Sequence, residues 1–225
     1  MLIQWFGQSF FKITVKNQLG QEVTIVIDPF HKEFCGLKSP NKFGADILLV
    51  THDHEDHNNV ELIKGAEDGK EPFLISGPGE YEAKGVMIYG LPAFHDNANG
   101  TERGEDTIYL IQAEEMWLAH LGDLGQKSLN DDQLSHLEDI DILLLPVGGA
   151  GATLDAKAAA EVVSQIEPRV IIPMHYALPG LKFKFDGVEK FVKEMGIKPE
   201  TVTEKIRLQK KDLPEEETKL IVIQV

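Results

Sequence analysis

The first thirty residues carry apolar and β-branched side chains in short runs, with the period of two that is typical of β-strands. The strands predicted there are Leu2–Phe6, Phe10–Lys16 and Val23–Asp28, with a turn at Asn17-Gln18-Leu19-Gly20. An irregular loop over Phe30–Gly44 follows, and the apolar run Asp46–Val50 predicts a short buried strand. The N-terminal part of the chain is therefore expected to be rich in β-structure.

The middle of the chain gives shorter signals. Asn59–Gly65 predicts a short helix that Asp56 or Asn58 caps and that Gly65 ends. The strands predicted after it are Phe73–Ser76, Val86–Gly90, Thr107–Gln112 and Met116–His120, the last two as a hairpin.

Helices and strands alternate in the second half. Helices are predicted over Asn130–Leu137, Asp155–Ile166 and Gly187–Met195, and strands over Ile142–Pro146 and Val170–Pro173, with two closing strands in Glu204–Val225 around a turn at Asp212–Glu217. Asp155 and Asp186 are expected to cap the second and third helices. No repeat, linker or break in composition divides the chain, so a single domain over residues 1–225 is expected. The pattern suggests two sheets face to face with helices outside, but alone it establishes only an α/β or α+β class.

The chemistry is concentrated directly after the strand at Asp46–Val50. The six residues His52-Asp53-His54-Glu55-Asp56-His57 contain three imidazoles and three carboxylates. A strand that ends in such side chains holds them on a rigid base, as a metal site requires. A solvated polar loop is the alternative interpretation, but the spacing His-x-His-x-Asp-His is far more specific than a lone pair of histidines. Because His52 and His54 are two residues apart, an extended backbone points both side chains to one side.

These residues resemble the metallo-β-lactamase superfamily, whose signature is His-x-His-x-Asp-His. Four further motifs of that family follow its order, and they contain Asp28 (in Val26-Ile27-Asp28-Pro29), His95, Asp123 (in His120-Leu121-Gly122-Asp123) and His175. The sequence around these motifs is similar to that of a compact branch of Zn-dependent hydrolases, which includes relatives of ascorbate-6-phosphate lactonase. The resemblance implies an α+β chain folded as a four-layer, metallo-β-lactamase-like αββα sandwich.

The resemblance also implies a ligand set for two divalent metal ions. His52, His54 and His95 would hold one ion; Asp56, His57 and His175 would hold the other; and Asp123 would bridge both. Nitrogen and oxygen donors of this kind are normal zinc ligands, and they also suit Mn²⁺ or Fe²⁺. Asp28 would orient a ligand histidine through its second ring nitrogen.

The implied function is that of a metal-dependent hydrolase. A metal-activated hydroxide, oriented by Asp56 as the catalytic residue that also shuttles a proton, would attack an ester-like bond. A lactone or carboxylic ester and a phosphodiester both stay open. A phosphodiesterase would need extra cations at the site, such as Arg103, Lys182 or Lys184, and a lactonase would need fewer. The alternative function is that of a metal-binding or sensing protein without significant turnover.

Composition limits the partners. Among 225 residues, 22 Lys and Arg oppose 37 Asp and Glu, which gives a formal net charge of −15. This charge disfavours nucleic acid and anionic membranes as partners, so a small-molecule substrate is expected. That substrate can be an anion, because the local field near a metal opposes the charge of the whole chain. No apolar run approaches the ~18 residues of a membrane span, and the N-terminus lacks the pattern of a signal peptide. With Cys35 as the single cysteine, no intrachain disulfide can form, and a cytoplasmic location is expected. The oligomeric state stays open.

Several other polar residues have a competing structural interpretation. His31 and His136 are expected to be bystanders, although His31 is close enough to Asp28 to reach the rim of the pocket. His120 is expected to be structural or to support a ligand residue. Tyr176 either contacts substrate or packs. The glycine-rich segment 148–153 lacks the Gly-Lys-Ser/Thr ending of a phosphate loop, so it is expected to line the metal pocket.

Overall fold

The computed structural model describes residues 1–40 and 42–225. Within these residues, two large sheets lie face to face. The first has the strand order β15-β1-β2-β3-β5-β7. Its strands are β1 (Leu2–Trp5), β2 (Phe11–Lys16), β3 (Glu22–Ile27), β5 (Ile47–Leu49), β7 (Phe73–Ile75) and β15 (Lys205–Arg207).

The second sheet has the order β14-β16-β13-β12-β11-β10-β9-β8 within the described residues. Its strands are β8 (Gly79–Ala83), β9 (Val86–Phe94), β10 (Glu105–Ala113), β11 (Met116–His120), β12 (Ile142–Pro146), β13 (Val170–Met174), β14 (Glu200–Thr203) and β16 (Lys219–Gln224). Strands β8 to β11 pair antiparallel, whereas β11, β12, β13 and β16 run parallel. The parallel half therefore needs crossover connections.

Helices supply these crossovers. The helices of the described residues are α1 (Lys32–Cys35), α2 (Asp131–Leu137), α3 (Ala156–Ile166) and α4 (Val188–Met195). Asn130 begins α2 with a capping box, in which its side chain accepts from Gln133 N–H and the Gln133 side chain accepts in return. Asp155 caps α3 as predicted, since its carboxylate accepts from Ala158 N–H at 2.9 Å.

The main core lies between the two sheets and under α2 to α4. Alternate residues of β2, namely Phe11, Ile13 and Val15, are buried there, as the period of two predicts. The opposite face of the first sheet buries a second cluster, which includes Phe10, Val26 and Leu48 from the sheet strands or beside them. Helix α1 and the strand pair β4 (Phe43–Ala45) and β6 (Ile63–Gly65) cover that face. The two sheets thus lie between outer layers, as predicted.

The helix predicted over Asn59–Gly65 is wrong. Val60–Leu62 form one 3₁₀ turn, and Ile63–Gly65 then pair with β4 as β6. Seven residues are too few to stabilise a helix by themselves, and the strand buries Ile63, which is 1% exposed, in the second cluster. The irregular loop predicted over Phe30–Gly44 is also corrected, because α1 and the start of β4 lie in it.

Other corrections concern polar segments. Helix α4 begins after Gly187 without a side-chain cap, because the predicted cap, Asp186, pairs with Lys190 at 2.6 Å instead. The two closing strands of the tail enter different sheets, since β15 pairs with β1 and β16 with β13. The edge strands β8 (GEYEA) and β14 (ETVT) were not predicted. Their residues are mostly exposed, so the sequences contain few of the apolar residues from which a strand is predicted. Among the described residues, no helix is both long enough and apolar enough to cross a membrane.

Candidate metal centre

The loops that follow strand ends bring the predicted donors together at one place. His52–His57 follow β5, and the other three donors, His95, Asp123 and His175, follow β9, β11 and β13. Strands of both sheets therefore fix the positions of the donor side chains. All seven predicted donors fall into two groups. Within each group, the ligand atoms all lie within 4.8 Å of one another.

The first group contains His52, His54 and His95. Nε2 of His52 lies 3.0 Å from Nδ1 of His54. The ring centroid of His95 lies 4.7 Å from that of His52 and 5.0 Å from that of His54. Three imidazoles therefore face a common point.

The second group contains Asp56, His57, Asp123 and His175. Oδ2 of Asp56 lies 3.7 Å from Nε2 of both His57 and His175. Oδ2 of Asp123 approaches the same two nitrogens more closely, at 3.1 Å and 3.2 Å. This group combines two carboxylates with two imidazoles.

One atom connects the two groups. Oδ2 of Asp123 also lies 3.4 Å from Nε2 of His95, which belongs to the first group. The contact with His57 is not a hydrogen bond, since the buried Nε2 of His57 has no hydrogen-bond partner among the described residues. Donor atoms on a tetrahedral zinc ion, with bonds of ~2.0–2.1 Å, lie about 3.3 Å apart. The donor set therefore fits metal ions in chemistry and in spacing.

Asp28 fixes the orientation of His57. Its carboxylate accepts from the Thr51 backbone N–H at 2.8 Å and from the Thr51 hydroxyl at 2.7 Å. The same carboxylate lies 2.8 Å from Nδ1 of His57, which must carry the proton because the carboxylate only accepts. In the neutral ring, the form that binds a metal, Nε2 of His57 then presents its lone pair to the centre. This is the contact that the sequence predicted for Asp28.

Three buried residues at the centre escaped the sequence analysis. The Ser9 hydroxyl donates to Oδ1 of Asp123 at 3.2 Å. The Gln8 amide nitrogen lies 3.1 Å from Nε2 of His175, and Oδ1 of Asp106 lies 3.3 Å from Nδ1 of His52. Gln8 and Ser9 lie between β1 and β2 and give no local signal. Asp106 lies two residues before the apolar run Ile108–Ile111 of β10, and an acid so close to a buried strand was the one available hint.

Asp106 reaches His52 because residue 122 is a glycine. The φ angle of Gly122 is +53°, and a Cβ atom there would lie 2.4 Å from Oδ1 of Asp106. Any other residue would displace the carboxylate or strain the backbone. Asp106 is 1% exposed, and neither of its oxygens has a hydrogen-bond partner among the described residues, so its contact with Nδ1 of His52 at 3.3 Å is one of charge. An isolated buried carboxylate is costly, and His52 is the ion-pair partner that the described residues offer to Asp106.

The buried charges of the second group stabilise one another. Burial opposes ionisation of Asp123, but the imidazoles of His175 and His57 outweigh it and hold the pKa of this carboxyl well below its usual range. Burial likewise opposes the charged form of Asp56, whose pKa the nearby imidazoles of His57 and His175 lower to about 2. Burial would lower the pKa of His175, yet Asp123 and Asp56 raise it to about 9. Carboxylates and imidazolium groups thus pair here, and a divalent ion would take the place of the protons.

The remaining histidines lie outside both donor groups. His120 is buried; its Nδ1 accepts from Gly122 N–H at 3.1 Å, and its Nε2 contacts the Ser9 carbonyl at 3.0 Å. It therefore has the structural role that was predicted. His136 is exposed on α2, and His31 precedes α1. Tyr176 packs, since its ring lies 5.0 Å from that of Trp5.

An open pocket of about 780 Å³ lies over the donor atoms. It is lined by Phe34, Asp53, His54, Glu55, Asp56, His95, Arg103, Asp123, Ala150, Ala152, His175, Lys182, Phe183, Lys184 and Phe185. The glycine-rich segment 148–153 contributes Ala150 and Ala152, in line with its predicted place. Substrate therefore has direct access to both donor groups.

Comparison with known proteins agrees with the geometry. Residues 2–175 match the model of the beta-lactamase superfamily domain. A UPF0173 metal-dependent hydrolase of Methanopyrus kandleri is 30% identical over 234 residues, which cover 90% of this chain and 96% of that protein.

Solved structures show the same fold. A Thermotoga maritima protein of the metallo-β-lactamase superfamily, described as a candidate Zn-dependent hydrolase, is 33% identical with a TM-score of 0.77, covering 99% of this chain and 97% of that one. A metallo hydrolase of Ignicoccus hospitalis, 24% identical over 87% of this chain and 90% of its own, shares the fold with a TM-score of 0.62. These likenesses confirm the predicted αββα sandwich. With its donor loops, its fold and its matched domain, this chain belongs to the metallo-β-lactamase superfamily.

Proposed function

We propose that this chain is a binuclear metal-dependent hydrolase that cleaves an ester-like bond in a small substrate. The activity class is the one for which its relatives are named. The observation that carries the binuclear part is the position of one oxygen, Oδ2 of Asp123. It lies 3.1–3.4 Å from the Nε2 atoms of His57, His175 and His95, which belong to both donor groups.

Each donor group would hold one ion. His52, His54 and His95 form the first set of ligands, and Asp56, His57 and His175 form the second, with Asp123 shared. Two bound divalent ions would lower the pKa of water towards ~7 and polarise the substrate's oxygen. Zinc is the metal we propose, and the all-nitrogen-and-oxygen donor set also suits manganese or iron.

Asp56 is the proposed catalytic residue of the chain itself. Its side chain is 14% exposed and lines the pocket. With a pKa lowered to about 2, it is ionised at neutral pH and can accept a hydrogen bond from water. It would orient the attacking water and take up its proton, which requires a group in contact with both the centre and the pocket.

Metal content and turnover test this proposal together. Protein purified without added metal or chelator should contain two divalent ions per chain by elemental analysis. The metal-loaded protein should hydrolyse members of a lactone, carboxylic ester and phosphodiester panel. His54→Ala should lose metal and activity, whereas His136→Ala, which removes an exposed histidine of α2, should keep both.

The outcomes separate the alternatives. One ion per chain in active protein would contradict the binuclear assignment. Two tightly bound ions without turnover on any panel member would favour the metal-binding or sensing function instead. Unchanged metal content in His54→Ala would remove His54 from the ligand set.

A single domain over residues 1–225 and a cytoplasmic location are parts of the same proposal.

A further inference from the structure

We propose that the pocket selects substrates that combine an anionic group with an aromatic-sized apolar body. Arg103 and Lys184 would bind the anionic group, and a row of phenylalanine rings would contact the body. This inference rests on the proposed function, because the pocket concerned lies over the two donor groups. The anionic group is a phosphoryl or carboxylate group.

The loop that begins at His95 holds Arg103 at the pocket. Asp96, which is 5% exposed, closes this loop with its carboxylate. It accepts backbone N–H groups from Ala98 at 2.7 Å, Gly100 at 2.9 Å, Glu102 at 3.0 Å and Arg103 at 2.8 Å. The Gly104 carbonyl accepts from His95 N–H at 3.1 Å and joins the two ends of the loop. The backbone of Arg103 is thus fixed relative to a predicted ligand.

The guanidinium of Arg103 is available to a ligand. The side chain lines the pocket and forms no ion pair with any residue that the structure describes. A guanidinium presents planar donors that match phosphate and carboxylate oxygens. An anion bound there would lie beside the donor His95.

Lys184 occupies a second part of the wall, in the segment that follows His175. It too lines the pocket, and its ammonium has no ion pair or hydrogen bond to the residues described. Lys182 differs, because its ammonium donates to the Glu33 carbonyl and its backbone N–H to the Cys35 carbonyl. Lys182 therefore ties this segment to α1, and Lys184 is the cation left for a ligand.

Aromatic rings form a continuous row along the same wall. The ring centroids of Phe34 and Phe183 are 5.0 Å apart, and those of Phe183 and Phe185 are 5.9 Å apart. Phe185 lies 4.8 Å from the ring of His175. The row thus leads from the partly exposed Phe34 to a predicted ligand. Partly exposed rings at a pocket wall gain free energy when an apolar group covers them.

The charge of the pocket explains how an acidic chain would attract an anion. Four lining carboxylates exceed three lining cations by one charge. Two divalent ions would change the sign and leave the lining with about three positive charges. The chain as a whole carries −15, so the attraction acts within the ~8–10 Å over which salt screens charges.

Binding of a non-hydrolysable probe tests the inference without turnover. The probe is phenylphosphonate, and its Kd for zinc-loaded protein is measured by calorimetry. Arg103→Gln and Lys184→Gln should each raise this Kd about fivefold, the size expected for one partly exposed ion contact. Arg103→Lys should recover part of this loss, because the charge is kept but the planar pair of donors is not. Arg207→Gln removes an exposed arginine of β15 outside the pocket and is the matched control; it should leave the Kd within about twofold.

Methylphosphonate tests the aromatic wall. The wild type should bind phenylphosphonate about tenfold more tightly than methylphosphonate. Phe183→Ala should reduce this preference, provided that its zinc content and circular dichroism match the wild type. Equal Kd values for the two probes in the wild type would overturn the apolar part of the inference, whether or not the variant folds.

Other results would overturn the cationic part. Wild-type Kd values in both Arg103→Gln and Lys184→Gln would remove these residues from ligand binding. A loss that Arg207→Gln shares would show an effect of net charge alone and would also overturn it. If no ester of any class is hydrolysed but probe binding depends on these cations, the proposed function fails and this inference stands. If neutral esters are hydrolysed and probe binding does not depend on Arg103 or Lys184, the proposed function stands and this inference fails.

Discussion

Replacement of Asp106 by Asn should weaken the binding of one metal ion and leave the other in place. The carboxylate is 1% exposed, and its Oδ1 lies 3.3 Å from Nδ1 of His52. Asn has the same shape but no charge, so it attracts the imidazole of His52 less strongly and leaves the Thr51 hydroxyl, 3.0 Å from Nδ1, as the one group that orients the ring there. Residues that orient a metal-bound histidine in this way typically contribute 10- to 100-fold in metal affinity, about 1.4 to 2.8 kcal/mol.

The effect should be confined to the first donor group. Asp106 contacts His52, whereas His57 of the second group is oriented by Asp28 at 2.8 Å. Competition between the metal-free protein and a chromophoric zinc chelator resolves the two equivalents. We expect one Kd to rise 10- to 100-fold and the other to change less than about threefold. The metal-free variant should unfold within about 1 kcal/mol of the wild type, because Asn keeps an acceptor and leaves no cavity.

A second buried carboxylate provides the control. Asp141 is 2% exposed, but it pairs with Lys210 at 2.9 Å and accepts from Trp117 N–H at 3.0 Å, outside the donor groups. Asp141→Asn should lower stability and leave both zinc affinities unchanged. Two wild-type affinities in Asp106→Asn would refute the orienting role. Equal weakening of both equivalents in the two variants would show a general loss of stability instead.

Further predictions concern the same region. Asp123→Ala should retain less than one ion per chain by elemental analysis, because Oδ2 of Asp123 faces both donor groups; two retained ions would contradict its shared position. Gly122→Ala should lower the free energy of unfolding in urea by about 2 kcal/mol or more, since the new Cβ would lie 2.4 Å from a buried carboxylate oxygen. Gly151→Ala, at φ +73° in open space, is its control and should cost only the backbone strain of about 1–2 kcal/mol; equal losses would argue against the steric reason. Burial raises the pKa of the Cys35 thiol to about 12, so iodoacetamide at pH 8 should alkylate folded protein far more slowly than protein in denaturant, and equal rates would show that the thiol is accessible.

The donor residues could be predicted from the sequence because their information is local. His52–His57 follow an apolar strand directly, and the burial of Ile47, Leu48 and Leu49 confirms that strand. His95 and His175 directly follow β9 and β13 of the second sheet, and Asp123 lies three residues after the end of β11. The structure therefore brings the predicted ligands together. Helices with a clear cap, such as α3 after Asp155, were predicted to within one residue.

The residues that support the donors could not be found in the same way. Ser9 contacts Asp123 across 114 residues of sequence, and Gln8 contacts His175 across 167. Such pairs arise when the sheets pack, and neither partner carries a local pattern. The wrong helix at Asn59–Gly65 has the same origin, because the pairing of β6 with β4 depends on a segment some twenty residues earlier. Tertiary pairing outweighs helix propensity in a run this short.

Three residues at the centre have a strained backbone. Gln8, Asp28 and His175 have φ angles of +47°, +49° and +52°, which side chains other than glycine adopt at a cost of about 1–2 kcal/mol each. Each of these residues lies just beyond a strand end, and each contacts a donor or is one. Strain of this kind persists only where surrounding structure determines it, and here the buried strands of both sheets do so. Packing of the sandwich therefore offsets the backbone strain that brings these three residues to the donor atoms.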